Sequence, residues 1–185
     1  LCFQYGCALR DVLRAPEAIE PLRRAVASGQ FGWNGHFHLA GALRSNQQYD
    51  DAIREYRLAR GARGYRGYYA QLREAETQLE SGRPVEALAV LREVDVAANP
   101  DVPTNTQFGA AMAKALLHTG QPDEALRVVE RGVAKEPKWL RGHVIHAEVL
   151  IALGRVEEAR APWAAARELN AKDPDVVRLG AELGP

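Results

Sequence analysis

A repeating helical hairpin constrains the fold of this chain more than any other sequence feature. Its plainest copy is the segment Thr106–Pro137. Met112 and Leu116 are spaced to share one helical face, and Gly120 follows where a left-handed C-terminal cap favours glycine. Pro122 suits the first turn of a second helix, because its missing N–H costs nothing there. The segment therefore predicts two helices folded back on each other across a short turn.

The same hairpin pattern occurs five times in all. The copies align on an alanine in the second helix, at steps of 34 or 35 residues apart from one longer step before the fourth copy. These alanines are Ala18, Ala52, Ala87, Ala125 and Ala159. Facing them in the first helices are the small residues Gly6, Ala40, Ala75, Ala113 and Ala147. Small side chains let two helices cross closely, and a fixed period of this size is typical of a helical repeat array.

These columns resemble the tetratricopeptide repeat family, whose period is about 34 residues. The resemblance implies an all-α, right-handed α-solenoid of about five helix-turn-helix repeats with a C-terminal capping helix. We expect one array over residues 1–185, forming part of a longer chain. Its predicted repeats are 1–32, 33–67, 68–105, 106–139 and 140–173, with the capping helix at 174–184.

Three local features refine this interpretation. Asp173 and Pro174 form a good helix start, and Val176, Val177, Leu179 and Leu183 can supply the apolar side of the capping helix. The segment Asp95–Asn105 is predicted to be an extended loop between repeats. In the third repeat the register stays open. Glu74 and Gln78 fall where apolar residues belong, whereas Leu72 and Leu79 fit better one place away.

Composition excludes several classes of function. Lys and Arg total 24 and Asp and Glu total 24, so no net field draws the chain to nucleic acid or to an anionic membrane. No apolar run approaches the roughly 20 residues that span a bilayer. We expect a cytoplasmic protein without a membrane partner. The chain has no serine elbow, glycine-rich phosphate loop or paired cysteine motif, so we expect no enzyme, no catalytic residue and no cofactor.

Histidines offer the one metal hypothesis. His143 and His146 are three residues apart on a helix and can converge on one ion, whereas His36 and His38 cannot. Alignment of the repeats places His36 and His143 in the same packing position. We therefore predict inward-facing, hydrogen-bonded histidines and no metal site.

The resemblance also implies a function. In the family, the first helices line a concave groove that holds a segment of another protein, so we expect a protein interaction scaffold. The groove-facing residues, carried over column by column, are Asn34, Phe37, Arg44, Tyr69, Glu76, Gln107, Ala110, Lys114, Arg141, Val144 and Glu148. A groove with Phe37 as an apolar anchor and with basic residues beside it suits a peptide that carries a hydrophobic residue and some acidity. Phe37 and Gly41 replace the lysine and asparagine of chaperone-binding members, so a chaperone tail is not the expected partner.

Three alternatives remain open at the level of sequence. The chain can be an accessory array that positions a substrate or mediates oligomerisation in a multidomain enzyme or regulator. The segment Ala59–Tyr69 interleaves arginines with tyrosines, a combination that binds single-stranded RNA weakly through charge and stacking. An uncapped first repeat can also associate with another copy.

Overall fold

A computed structural model describes residues 2–11, 14–61, 65–94 and 106–184. Within these ranges the secondary structure consists of eleven α-helices and no strand. The helices are α1 Cys2–Asp11, α2 Ala15–Ala27, α3 Gly32–Ser45, α4 Tyr49–Ala59, α5 Tyr65–Glu80, α6 Pro84–Arg92, α7 Thr106–His118, α8 Pro122–Lys135, α9 Leu140–Ala152, α10 Val156–Leu169 and α11 Pro174–Leu183. The predicted all-α, helical repeat fold is confirmed. The loop predicted at Asp95–Asn105 lies outside the described residues.

The helices belong to two compact units, Leu1–Asn99 and Pro100–Pro185. The first unit holds the hairpins α1/α2, α3/α4 and α5/α6, and the second holds α7/α8, α9/α10 and the single helix α11. Helix α5 begins at Tyr65, inside the range that the sequence assigned to the second repeat. None of the described helices is long and apolar enough to cross a membrane.

The two helices of each hairpin cross at the predicted alanines. Ala18, Ala52, Ala87, Ala125 and Ala159 are each 0% exposed. The facing small residues are buried as well, and in the first hairpin a Cβ added to Gly6 would lie only 2.6 Å from Cγ of Leu22. The small residues are therefore needed for the close approach of the helices, as the alignment predicted.

The turns between the two helices of the last four hairpins share one geometry. Gly82, Gly120 and Gly154 have φ of 76°, 74° and 74°, the left-handed conformation that the sequence predicted for Gly120. After each of these glycines, the next residue donates its backbone N–H to a carbonyl five residues earlier, at 2.8 to 2.9 Å. This is the Schellman arrangement that satisfies the last carbonyls of a helix. In the second hairpin the same turn is built on Gln47, with φ of 60°, which the sequence did not reveal.

The third repeat follows the aligned register. Glu74 is 0% exposed and Gln78 is 3% exposed, so both lie inside as the alignment places them. Leu72 is buried too, whereas Leu79 is only half-buried. The interior accepts Glu74 because Arg57 on α4 donates two hydrogen bonds to its Oε1 and Arg60 donates one to its Oε2, at 3.1 to 3.2 Å.

Helix α11 closes the second unit. Asp173 accepts hydrogen bonds from the backbone N–H groups of Asp175 and Val176, which confirms the predicted helix start. Val176, Leu179 and Leu183 are buried. The prediction for Val177 is wrong, because Val177 is 58% exposed on the opposite side of the helix.

Candidate partner-binding site in the first unit

Three aromatic rings form a stack on the first helices of the second and third hairpins. Trp33 and Phe37 are four residues apart on α3 and therefore share one face of the helix. Their ring centroids are 5.0 Å apart, and the centroid of Phe37 is 5.3 Å from that of Tyr69 on α5. We call Trp33, Phe37 and Tyr69 the aromatic ladder. Tyr56 on α4, which is 3% exposed, supports it from below with its ring edge-on to Phe37.

Arginines stack on both ends of the aromatic ladder. The guanidinium carbon of Arg66 lies 5.6 Å from the centroid of Trp33, and that of Arg73 lies 4.9 Å from the centroid of Tyr69. Both distances are within the range of cation–π attraction. The ladder and its two arginines therefore form one continuous row of five planar groups.

An open cleft of about 610 Å³ lies beside the ladder, between α3 and α5. Its volume is within the range of small-ligand and peptide-side-chain pockets. The lining residues are Phe37, His38, Gly41, Arg44, Ser45, Tyr56, Tyr69, Arg73 and Glu80. The cleft thus joins an aromatic wall to a polar, charged end.

Carboxylates on α5 hold the two arginines of the cleft in place. Arg44 donates two hydrogen bonds to Glu80, at 2.7 and 2.5 Å, and one to Glu76 at 3.2 Å. Arg73 donates to Glu76 and to the hydroxyl of Tyr69, both at 2.6 Å. Burial opposes the charge of Arg44, but its hydrogen bonds to Glu80 and the two nearby carboxylates prevail and raise its pKa. Arg44 therefore stays charged in the cleft.

The second unit carries a more polar set of predicted groove residues. Arg141 on α9 donates to Asp175 on α11 at 3.0 Å, and Glu148 on α9 accepts from Arg178 on α11. Lys114 on α7 is half-buried and has no hydrogen bond or ion pair among the described residues. Burial, with the positive charge of Arg141 nearby, lowers its pKa. Among the described residues, Lys114 therefore interacts with the carboxylates of Glu148 and Asp175 only through longer-range attraction.

Models of the tetratricopeptide repeat match the sequence over most of its length. One matches residues 4–65 and 42–103, which together exceed half of the 185 residues, and two others match 78–143 and 140–165. The chain belongs to the tetratricopeptide repeat family. The resemblance inferred from the alanine columns is thus confirmed.

Solved tetratricopeptide repeat structures share the fold. The pilF protein of Pseudomonas aeruginosa superimposes with a TM-score of 0.79 at 19% identity, covering 98% of this chain and 81% of that one. MamA from Desulfovibrio magneticus RS-1 gives 0.77 at 16%, covering 92% and 94%. YrrB, a tetratricopeptide repeat protein with an unusual peptide-binding site, gives 0.72 at 14%, covering 96% and 89%. Comparison with curated protein sequences gives no match.

In this tetratricopeptide repeat chain, the predicted groove residues of the first unit lie close together. Phe37, Arg44 and Tyr69 line one cleft, and Glu76 binds Arg44 beside it. Asn34 is exposed and does not line the cleft. Sequence reasoning missed the other six lining residues, which are His38, Gly41, Ser45, Tyr56, Arg73 and Glu80. The spacing of Arg73 from Tyr69 and of Glu80 from Glu76, four residues in each case, was a signal for two of them.

In the second unit one predicted groove residue is wrong. Val144 is 2% exposed, so its side chain has no surface to offer a partner. The reason is that α9 packs against α7, α8, α10 and α11, which buries it on nearly all sides. Gln107 and Arg141 are exposed, and Ala110, Lys114 and Glu148 are half-buried.

His36 and His143 make the predicted hydrogen bonds. Nδ1 of His36 is 2.7 Å from Oε2 of Glu55, and Nε2 of His143 donates to the carbonyl of Pro137 at 2.8 Å. His146 lies 3.9 Å from Glu130, and burial lowers its pKa. No three His, Cys, Asp or Glu side chains of the described ranges are grouped as metal ligands.

The arginine and tyrosine segment is largely engaged within the protein. Arg60 donates to Glu74 at 3.1 Å and to Glu93 at 2.6 Å, and Tyr68 is 4% exposed. Arg63 lies outside the described residues. Arg60 and Tyr68 are therefore not placed to bind a single strand, whereas Tyr69 contributes to the aromatic ladder.

Proposed function

We propose that this chain is a non-enzymatic scaffold that binds a segment of another protein, and that the cleft of the first unit seats an apolar side chain of that segment. The observation that carries the proposal is the aromatic ladder, two of whose rings, Phe37 and Tyr69, line a cleft of about 610 Å³ between two first helices. Aromatic anchors in a pocket with a polar rim are the usual centres of protein interfaces.

The geometry favours binding because the site is already ordered. Stacking and edge contacts fix the ring of Phe37 on several sides, and ion pairs fix Arg44 and Arg73. Side chains that are held in place before binding lose little conformational entropy when a partner arrives. Arg73 uses two of its five N–H groups in these hydrogen bonds, so it retains donors for the partner.

The second unit supplies candidate contacts for an acidic group. Lys114 carries a half-buried ammonium that has no hydrogen-bonded partner in the part of the chain that the structure describes, and Arg141 is exposed beside it. A carboxylate of the partner would restore to Lys114 the hydrogen bonds that burial removes. Gln107, Ala110 and Glu148 complete the proposed contact set in this unit.

The proposal is tested by selecting peptides from a display library against the 185-residue chain and measuring their affinities for two variants. Gly41→Leu fills the cleft, since Gly41 lines it, and leucine favours the helix interior by about 0.5–1 kcal/mol over glycine. Ala89→Leu is the matched control, because Ala89 is an exposed position of α6 away from the cleft.

We expect the selected peptides to share an apolar residue and to bind wild type and Ala89→Leu equally. Gly41→Leu should weaken them at least tenfold while keeping a wild-type circular dichroism spectrum. Peptides that bind Gly41→Leu within twofold of wild type, or a selection that enriches no peptide, would refute the proposed site.

A further inference from the structure

We infer that the segment bound at the aromatic ladder is proline-rich and binds as a polyproline II helix. The inference rests on the proposed function and names the class of partner. The site offers a row of offset aromatic rings and a rim rich in hydrogen-bond donors. A proline-rich segment offers flat rings at a regular spacing and carbonyl acceptors without N–H donors.

The first match is one of spacing. From Trp33 through Phe37 to Tyr69 the centroid steps are 5.0 and 5.3 Å, so the outer rings are no more than about 10 Å apart. A polyproline II helix has three residues per turn and rises about 3.1 Å per residue. Residues i and i+3 therefore face the same side about 9 Å apart. One turn of such a helix is therefore close to the greatest separation that the outer rings can have.

The second match concerns the exposed ring surface. The planes of neighbouring rings in the ladder differ by only 21° and 27°, yet their centroids are at least 5.0 Å apart. Nearly parallel rings in contact at this distance must be offset sideways. The offset leaves part of each ring beyond the edge of its neighbour, although Arg66 and Arg73 lie over the outer rings. Trp33, Phe37 and Tyr69 are all only half-buried, so each ring keeps exposed surface. A flat pyrrolidine ring can pack on such a step.

The third match concerns hydrogen bonding. Arg44, Ser45 and Arg73 provide donors at the cleft, while the carboxylate of Glu80 is occupied by Arg44. Proline has a carbonyl acceptor and no N–H donor, and the carbonyls of a polyproline II helix are unpaired. A donor-rich rim therefore satisfies a proline segment without leaving a buried N–H unpaired. A helical partner segment would have its carbonyls occupied by its own hydrogen bonds.

A preformed ligand also suits a preformed site. Polyproline II is already populated in free proline-rich segments, so binding costs little chain entropy. The rings and arginines of the cleft are held by their contacts with each other. The pairing of two ordered partners is the recognition mode of aromatic grooves for proline-rich peptides.

The test uses three fluorescein-labelled probes in fluorescence anisotropy with the 185-residue chain. These are decaproline, a glycine–serine decapeptide with one leucine, and a single-stranded oligouridylate. The variants are Tyr69→Ala and Tyr69→Leu in the ladder, with Tyr5→Ala as the matched control because Tyr5 is a 57% exposed tyrosine of α1. Circular dichroism verifies the folding of each variant, and Tyr69→Leu keeps apolar bulk if the alanine variant unfolds.

We expect decaproline to bind wild type and Tyr5→Ala alike and to bind the Tyr69 variants at least fivefold more weakly. The leucine peptide should bind more weakly than decaproline. If the leucine peptide binds as well as or better than decaproline, the inference fails and the proposed function stands. If the oligouridylate binds more tightly than decaproline, the inference also fails, and the ladder is a nucleic-acid site instead. If no probe binds while the display selection yields peptides without proline, the inference of a proline-rich ligand fails and the proposed function stands.

Discussion

The buried carboxylate of Glu74 provides the sharpest test of the packing that shapes the first unit. Glu74 is 0% exposed on α5, and three hydrogen bonds from Arg57 and Arg60 hold its charge. Glu74→Gln keeps the shape of the side chain and removes the charge. The amide oxygen of the glutamine can still accept hydrogen bonds from Arg57. The amide nitrogen then faces Nη1 of Arg60, and no hydrogen bond forms because both groups are donors.

The expected loss follows from these contacts. One charge-assisted hydrogen bond to a buried acceptor is lost, which costs about 2–3 kcal/mol in the free energy of unfolding. Arg57 is 60% exposed and Arg60 also binds Glu93, so neither arginine is left buried and unpaired. For a chain of this length the loss corresponds to about 4–12 °C in melting temperature.

Glu80→Gln is the matched control on the same helix. Glu80 is 44% exposed and binds Arg44, so solvent screens the pair and its loss should cost about 1 kcal/mol or less. Urea denaturation followed by circular dichroism measures both variants. Equal losses within about 0.5 kcal/mol would show that Glu74 is not the buried, three-bonded carboxylate described above.

Three further predictions concern single positions. Gln47→Gly should stabilise the chain by about 0.5–1 kcal/mol in urea denaturation. A left-handed backbone costs about 1–2 kcal/mol for a non-glycine residue, and the greater entropy of glycine in the unfolded chain offsets part of the gain. A loss of stability would contradict the shared turn geometry. Ala125→Trp should lower the free energy of unfolding by about 3 kcal/mol or more through overpacking, whereas Glu130→Gln should change it by no more than about 0.5 kcal/mol. Similar losses in melting temperature for the two variants would refute the helix crossing at Ala125. Lys114→Met should be more stable than wild type at pH 7, because the folded pKa of Lys114 is lowered and its charged form is destabilising there. The wild type should regain stability as the pH rises from that lowered pKa toward 10.5, so the difference in the free energy of unfolding between the two proteins should shrink. A difference that grows with pH would contradict the burial of the ammonium.

The repeat columns predicted the scaffold because small residues at helix crossings are a direct requirement of packing. Ala125 and its equivalents could be identified from spacing alone, and all five are buried. The glycine turns were predictable for the same reason, since a left-handed residue after a helix favours glycine. Gln47 was missed because its backbone conformation is imposed by the hairpin and not by its own side chain.

Glu74 shows why the interior of the third repeat could not be predicted from the pattern. Hydrophobic periodicity assigns a carboxylate to the surface, and Arg57 and Arg60 lie more than a dozen residues away in the sequence. Only the packing of α4 against α5 brings the three side chains together. Burial was acceptable because the charge is paired and hydrogen-bonded.

The candidate site was predicted in part. Phe37, Arg44 and Tyr69 came from their positions in the repeat, and the structure gathers them at one cleft. The aromatic ladder itself was not foreseen, since it depends on how the rings of α3 and α5 stack. Val144 was assigned to the groove from its column, but the column cannot show that α11 and three other helices surround α9.

A nuclear magnetic resonance titration of the isotope-labelled chain with a peptide from the display selection shows whether the ligand binds at α3 and α5. Backbone amide shifts report which residues meet the ligand. We expect the largest shifts on α3 and α5 at the cleft, at Phe37, Gly41, Arg44, Tyr69 and Arg73. Shifts concentrated on the second helices α4 and α6, with these five amides unchanged, would contradict this expectation.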